Sequence, residues 1–332
     1  MSNSSGRRPA SRAGKGDSPL QVVLVIAVLA LVLAGVSAAL AGVHLDLVSR
    51  IAVHRGTSIR PPISTAWLGA HPQPALDVKA RAVVLMDVDA GQVLWQRQAH
   101  ERRAPASLAK LLTAMVAADL APLDHGVRVS GASEADAVLQ VEPTATVMGL
   151  TVGEKLQVRD LLYGLFLRSG GDAAETLAGG IVQRDQFVGL MNRKAAALHM
   201  ADSHFTTPVG LDDPKMRTTA YDVALAAAAI VTRYPALLAI AGTPTVTLPH
   251  TATHKAFTMV NYNKLVLPGT AFTYQGATGM KTAFTDEAGQ CMVATATRNG
   301  RRLVAVVLDA DVFFTDAVKL LDYGFATSMT HR

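Results

Sequence analysis

A chain of 332 residues, half of them apolar, can bury a substantial core as one large or two ordinary domains, which excludes a chain dominated by disorder. Its formal charge is +5, but residues 1–43 hold four basic residues against one acidic and supply +3 of it, so what remains is too weakly basic for a nucleic-acid partner. The single cysteine, Cys291, excludes an intramolecular disulfide and a cysteine-rich metal site.

Residues 1–20, rich in Ser, Arg, Gly and Pro, are expected to be disordered. The segment 21–43 follows, and from Val22 to Val43 it holds no charged residue, enough to cross a hydrocarbon core roughly 30 Å thick as a helix. Arg7, Arg8, Arg12 and Lys15 precede it, so the positive flank is expected to stay in the cytoplasm while the rest is exported. The run exceeds the roughly 7–15 residues of a signal-peptide core, which favours a retained transmembrane anchor. Ala39-Leu40-Ala41 nevertheless offers an A-x-A pattern to a signal peptidase, so anchor and cleaved signal both stay open. The body of the chain is then extracytoplasmic, held at the cell membrane or secreted. Residues 44–80, with Pro61, Pro62, Pro72 and Pro74 and little periodicity, read as a linker, and a folded domain is expected over 81–328.

Within that domain, Ala82 to Val88 and Val93 to Gln96 are short apolar runs around Asp89-Ala90-Gly91, a hairpin signal. From Ser107 to Leu120 the apolar spacing is helical, and Ala109 and Ala114 permit close packing at the centre of a domain. The middle third, about 133 to 240, favours helix at 158–166, 172–181, 187–198 and 221–232. Cys291 to Arg298 and Arg301 to Leu308 flank Asn299-Gly300, the strongest two-residue hairpin signal in the chain, and 314–327 reads as a closing helix. Strands at both ends with helices between predict an α+β fold, an antiparallel sheet built from N- and C-terminal segments with a mostly helical lobe inserted. Cys291 lies in an alternating apolar run and is expected to be a core thiol, while His250 and His254 sit in an extended segment and read as surface residues rather than metal ligands.

Ser107-Leu108-Ala109-Lys110 carries the chemistry. A serine and a lysine three positions apart share one helix face, and burial can bring a lysine amine toward neutrality, so the pair can serve as nucleophile and base without histidine. S-x-x-K alone is common. Here it is followed by Ser169-Gly170-Gly171-Asp172 and then by Lys281-Thr282-Ala283-Phe284-Thr285, the order of the S-x-x-K, S-D-N and K-T-G set. With the phrases Phe205-Thr206-Thr207-Pro208-Val209-Gly210-Leu211 and Thr219-Ala220-Tyr221-Asp222, the chain from about 81 to 325 resembles the serine D-alanyl-D-alanine carboxypeptidases, the low-molecular-mass penicillin-binding proteins.

The resemblance implies removal of the terminal D-Ala from peptidoglycan stem peptides through an acyl-enzyme, acylation by β-lactam antibiotics, and no cofactor or metal. It makes Ser107 the nucleophile, Lys110 its base and Ser169 a proton relay. Lys281 and Thr282 would bind the substrate's terminal carboxylate, and the backbone N–H groups of Ser107 and Phe284 would form the oxyanion hole. Ser169 also reads, from its position alone, as a helix N-cap. Two positions depart from the family pattern: Gly171 stands where an asparagine amide would orient Lys110 and hold the substrate carbonyl, and Ala283 adds a methyl beside the substrate strand. These departures keep open a weakly active or non-catalytic peptidoglycan- and β-lactam-binding homologue. A β-lactamase is a third reading, opposed by the absence of an E-x-x-L-N sequence.

Overall fold

The first hairpin forms where the turn residues place it, joining β1 (Ala82–Asp87) to β2 (Gln92–Arg97) with Gly91 at φ 64°. The computed structural model describes residues 63–327, so the expectations for 1–20, for 21–43 and for the linker as far as 62 lie outside the described residues. Among the described residues no single helix is long and apolar enough to cross a membrane.

β7 (Ala277–Thr285), β8 (Gly289–Arg298) and β9 (Arg301–Leu308) complete a sheet of order β2-β1-β9-β8-β7 in which every pairing is antiparallel. β1 enters from the N-terminal side and pairs with β9, which closes the sheet between the two ends of the domain. Asn299 and Gly300 take φ 51° and 76°, the left-handed pair that a two-residue primed turn demands. β1 is buried throughout, rather than at every second residue, because helices cover both faces of the sheet. Val83 and Leu85 join Leu303, Ala305 and Val307 in one core with Phe314, Ala317, Leu320 and Leu321 of the closing helix. The alternate residues point to the opposite face, where a second helix packs on β1 and β9.

The stretch from 63 to 80 is not free chain, so the packed unit extends N-terminally of residue 81. It contains α1 (Ala66–Ala70), and its Val78 and Ala80 enter the core. The buried carboxylate of Asp316 accepts the backbone N–H of Lys79 at 2.9 Å and of Ala80 at 2.7 Å, and Arg97 donates to the carbonyls of Val78 and Ala80.

The inserted lobe is helical as expected: α2 (Lys110–Leu120), α3 (Ala135–Val141), α4 (Val158–Leu167), α5 (Gly171–Ile181) and α6 (Arg184–Ala197). α7 (Ala220–Arg233), the second sheet-covering helix, and α8 (Pro235–Ala241) follow, and α9 (Phe313–Ala326) closes the fold. α2 is buried from Lys110 to Ala117 and touches α4, α5, α6 and α7, so it is enclosed on every side. The lobe also holds two small antiparallel pairs: β3 (Gly126–Arg128) with β4 (Lys155–Gln157), and β5 (Thr245–Leu248) with β6 (Phe257–Val260). Strands of three or four residues are too short for a period-two pattern to register. Cys291 is buried, and that burial pushes its thiol up to about 11.

Candidate active site

Ala106 to Ala109 form one 3-10 turn, and the α-helix proper begins at Lys110, so the helix expected from Ser107 is corrected to a turn followed by a helix. The difference has a consequence. Side chains at i and i+3 eclipse in a 3-10 turn, whereas in an α-helix they are about 60° apart around the axis. The turn therefore aims Lys110 at Ser107: Nζ lies 2.8 Å from Oγ and donates to the carbonyl of Val209 at 2.7 Å.

Ser107 is half-buried on the cleft wall, whereas Lys110 is 1% exposed. Burial pushes the Lys110 amine down to about 7, against the smaller upward pull of Asp172 and then of Glu175. The amine donates to Ser107 Oγ and to the Val209 carbonyl; once neutral, with one N–H kept on Val209, it can turn its lone pair to the serine hydroxyl.

The carbonyl that holds Lys110 is itself held. Thr207 Oγ1 accepts the N–H of Gly210 at 3.0 Å, and Gly210 takes φ 90°. A Cβ on Gly210 would meet the Ala106 carbonyl oxygen at 1.9 Å, so only glycine lets this loop lie against the nucleophile turn. Ala106 in turn has φ 46°, a left-handed conformation next to the nucleophile. The sequence motifs assign no role to Val209 or Gly210. The signal was present in the phrase Phe205 to Leu211, but a backbone carbonyl leaves no trace in side-chain chemistry.

Ser107, Lys110 and Ser169 line one cleft of about 590 Å³ together with Thr282, Ala283 and Phe284. That volume suits a short peptide or a small ring system. Ser169 has φ 57° and is 6% exposed; its carbonyl accepts from Thr146 Oγ1 at 3.0 Å. It does not cap α5, because the N-cap position falls on Gly170 and no side chain caps that helix.

Gly171 opens α5, and its N–H donates to the Thr146 carbonyl at 2.8 Å. A Cβ there would lie 3.1 Å from Val138 Cγ1 and 3.3 Å from Val209 Cγ1, so two valines bound the place where an asparagine would stand. Lys110 is oriented here by Ser107 Oγ and the Val209 carbonyl. Asp172 does not line the cleft. Its fully buried carboxylate accepts the N–H groups of Met148, Gly149 and Leu150 at 2.8, 2.8 and 2.9 Å, which fixes the loop whose Thr144, Ala145 and Thr146 form one wall.

The opposite wall is β7. It is an edge strand, and it packs directly against the nucleophile turn. Thr282, Ala283, Phe284 and Thr285 face the cleft, with Phe284 59% exposed and Ala283 8%. Lys281 does not. It is 1% exposed and donates to the Thr282 carbonyl at 2.7 Å, and burial, then the charge of Lys110, holds its amine well below the usual lysine range. The Lys281 amine is thus held on its own strand within reach of the Lys110 charge and does not line the cleft, and its carboxylate contact stays what the resemblance implies.

A serine and a buried lysine at the seam of an antiparallel sheet and a helical lobe place the chain in the DD-peptidase class of folds. Two solved structures superpose on this fold. The Streptomyces K15 DD-transpeptidase superposes with a TM-score of 0.70 at 30% identity, covering 77% of this chain and 100% of that one. The D-alanyl-D-alanine carboxypeptidase of Mycobacterium tuberculosis gives 0.69 at 33%, covering 78% and 96%. The chain belongs to the D-alanyl-D-alanine carboxypeptidase family, whose sequence profile matches residues 69–312. Among curated relatives, the carboxypeptidase DacF of Bacillus subtilis is 32% identical over 76% of this chain, and DacB2 of M. tuberculosis is 34% identical over 78%. The chain spans 64% of the length of DacF and 89% of that of DacB2.

Proposed function

We propose that the protein is an extracytoplasmic serine D-alanyl-D-alanine carboxypeptidase, acylated by β-lactams and held at the membrane by the segment 22–43. The observation that carries this reading is the buried Lys110 amine 2.8 Å from the half-buried Ser107 hydroxyl, on the wall of a cleft bounded by an edge strand. A non-catalytic role would not need a lysine desolvated against a serine, a costly arrangement unless the neutral amine is used.

The substrate backbone pairs along β7, and Ser107 Oγ attacks the carbonyl of the penultimate D-Ala. The serine proton passes to the neutral Lys110. The oxyanion is received by the N–H groups of Ser107 and Phe284, and loss of one such donor typically costs roughly 10²–10³ in rate. As the peptide bond breaks, Ser169 relays the proton from Lys110 to the departing nitrogen, releasing D-Ala and leaving an ester on Ser107. Water then hydrolyses the ester, Lys110 taking its proton and returning it to Ser107 Oγ as the acyl C–O bond breaks. A β-lactam follows the first half of this course, its ring amide opening onto Ser107.

Mass spectrometry of the protein incubated with benzylpenicillin tests the reading. One covalent adduct on Ser107 is expected, and none on Ser107→Ala, which should also fail to release D-Ala from a D-Ala-D-Ala peptide. An adduct of undiminished yield on Ser107→Ala would overturn the nucleophile assignment.

A further inference from the structure

Lys281 is enclosed and does not line the cleft, so an exposed cation for a ligand that ends in a carboxylate has to come from another residue. Lys110 is engaged with Ser107 and Val209. Among the described residues that line the cleft, the remaining cation is Lys264. Its ammonium is exposed and, within the described residues, makes no ion pair or hydrogen bond. It lies 5.9 Å from the ring centroid of Phe272 and 5.8 Å from that of Phe314, rings whose own centroids are 5.0 Å apart. Aromatic faces hold a cation in place without neutralising it.

The backbone under Lys264 is rigid for a reason legible in its neighbours. Asn261 and Asn263 are buried to 3% and 1% exposure, and the residues that alternate with them, Tyr262 and Lys264, point outward. Asn261 Nδ2 donates to the carbonyls of Ala241 and Thr243 at 3.0 and 2.9 Å, while its Oδ1 accepts the N–H of Asn263 at 2.9 Å. Asn263 Oδ1 accepts the N–H of Leu265 at 3.0 Å, and Thr270 Oγ1 donates to the Lys264 carbonyl at 3.0 Å. Two consecutive asparagine turns thus present one unpaired cation at the cleft, and pre-organisation of this kind favours a charge-assisted bond to a ligand. The acidic residue on the same cleft, Glu142, is engaged with Thr144, whose N–H and hydroxyl it accepts at 3.1 and 2.5 Å.

We propose that Lys264 is the carboxylate anchor of the cleft, the residue that selects peptides and inhibitors ending in a free carboxylate. This assignment rests on the acyl-D-Ala-D-Ala reading above.

The test compares an N-acylated L-Lys-D-Ala-D-Ala peptide with its C-terminal amide. Binding of each is measured by titration calorimetry to the full chain carrying Ser107→Ala, so that neither peptide is turned over. The free acid is expected to bind about tenfold more tightly than the amide. Adding Lys264→Met should erase that preference while leaving the affinity for the amide unchanged, and Lys264→Arg should keep it. Equal binding of acid and amide without the Lys264 change overturns the assignment, as does a preference that survives Lys264→Met. A loss of affinity for both peptides to the same degree also overturns it, since that would mark a structural lysine. Penicillin labelling of the unaltered protein separates the two readings: an intact carboxylate preference without labelling counts against the carboxypeptidase and leaves the anchor standing.

Discussion

The nucleophile turn and the edge strand β7 each bury a lysine to 1% exposure, and they use it differently. In both, burial removes the water that would stabilise an ammonium and drives the amine toward its neutral form. Lys110, rising from the first turn of a helix, reaches a reactive oxygen on one side and a fixed carbonyl on the other. Lys281, on an extended strand, turns back onto the carbonyl of the next residue. Desolvation makes a lysine basic in form, and reach decides whether it can act as a base. The two departures from the family pattern also fall outside the nucleophile turn, at the start of α5 and on β7.

Replacing Lys110 gives the largest break in this comparison. Lys110→Arg keeps a cation but loses the titratable amine, and acylation by a chromogenic cephalosporin followed by stopped flow should fall by about 10³ or more. A rate within tenfold of the parent would remove Lys110 from the chemistry. The same amine sets a pH profile. Only its neutral form accepts the serine proton, so the acylation rate should climb with pH through about 7. Stability should move in the same direction, because the unfolded chain binds this proton up to its ordinary value of 10.5 while the folded chain releases it near 7. Melting temperature is expected to rise with pH across that window, more steeply than in Lys110→Met.

Gly210→Ala tests whether the loop that holds Val209 is as tightly fitted as the 1.9 Å approach to the Ala106 oxygen implies. The added methyl must push the loop off the turn, with an expected loss of about 2 kcal/mol or more in denaturant unfolding and slower acylation of whatever remains folded. Unchanged stability would mean that the loop is free to move.

A smaller effect is expected at Gly171. Gly171→Asn alone should not quicken acylation, because its Cβ crowds Val138 and Val209 and disturbs the carbonyl that already orients Lys110. Combined with Val138→Ala, which makes room, it should recover the parent rate or exceed it by up to about tenfold, roughly 1.4 kcal/mol of barrier. A gain from Gly171→Asn by itself would mean that Val138 and Val209 leave room for the amide. Ala283→Gly comes last. It widens the edge of β7 by one methyl, and the expected gain in acylation is a factor of about three, less than one good hydrogen bond provides.

Much of the fold could be read before any coordinates. The hairpin at Asn299-Gly300, the apolar β1 and the central α2 are local patterns whose meaning does not depend on distant contacts. The packed unit reaches N-terminally of residue 81, where prolines and weak periodicity look alike in a free linker and in a strap tied down by Asp316, 236 residues away from Ala80. The small pairs β3–β4 and β5–β6 were missed for want of length. In the site, the three motifs and the order of their residues singled out Ser107, Lys110 and Ser169, and the structure brings all three to one cleft.

The sequence by itself therefore determined the family, the sheet built from both ends of the domain, and the side chains able to do acyl transfer, since each depends on residue type and spacing along the chain. Tertiary structure alone decided which lysine faces the serine, that Asp172 serves the loop rather than the cleft, that the Val209 carbonyl holds Lys110, and that Lys264 rather than Lys281 lines the cleft. These were closed to the sequence because they depend on where a backbone carbonyl points and on which buried amine is left with a reachable partner. Both are settled by packing between segments about a hundred residues apart, as Lys110 and Val209 are.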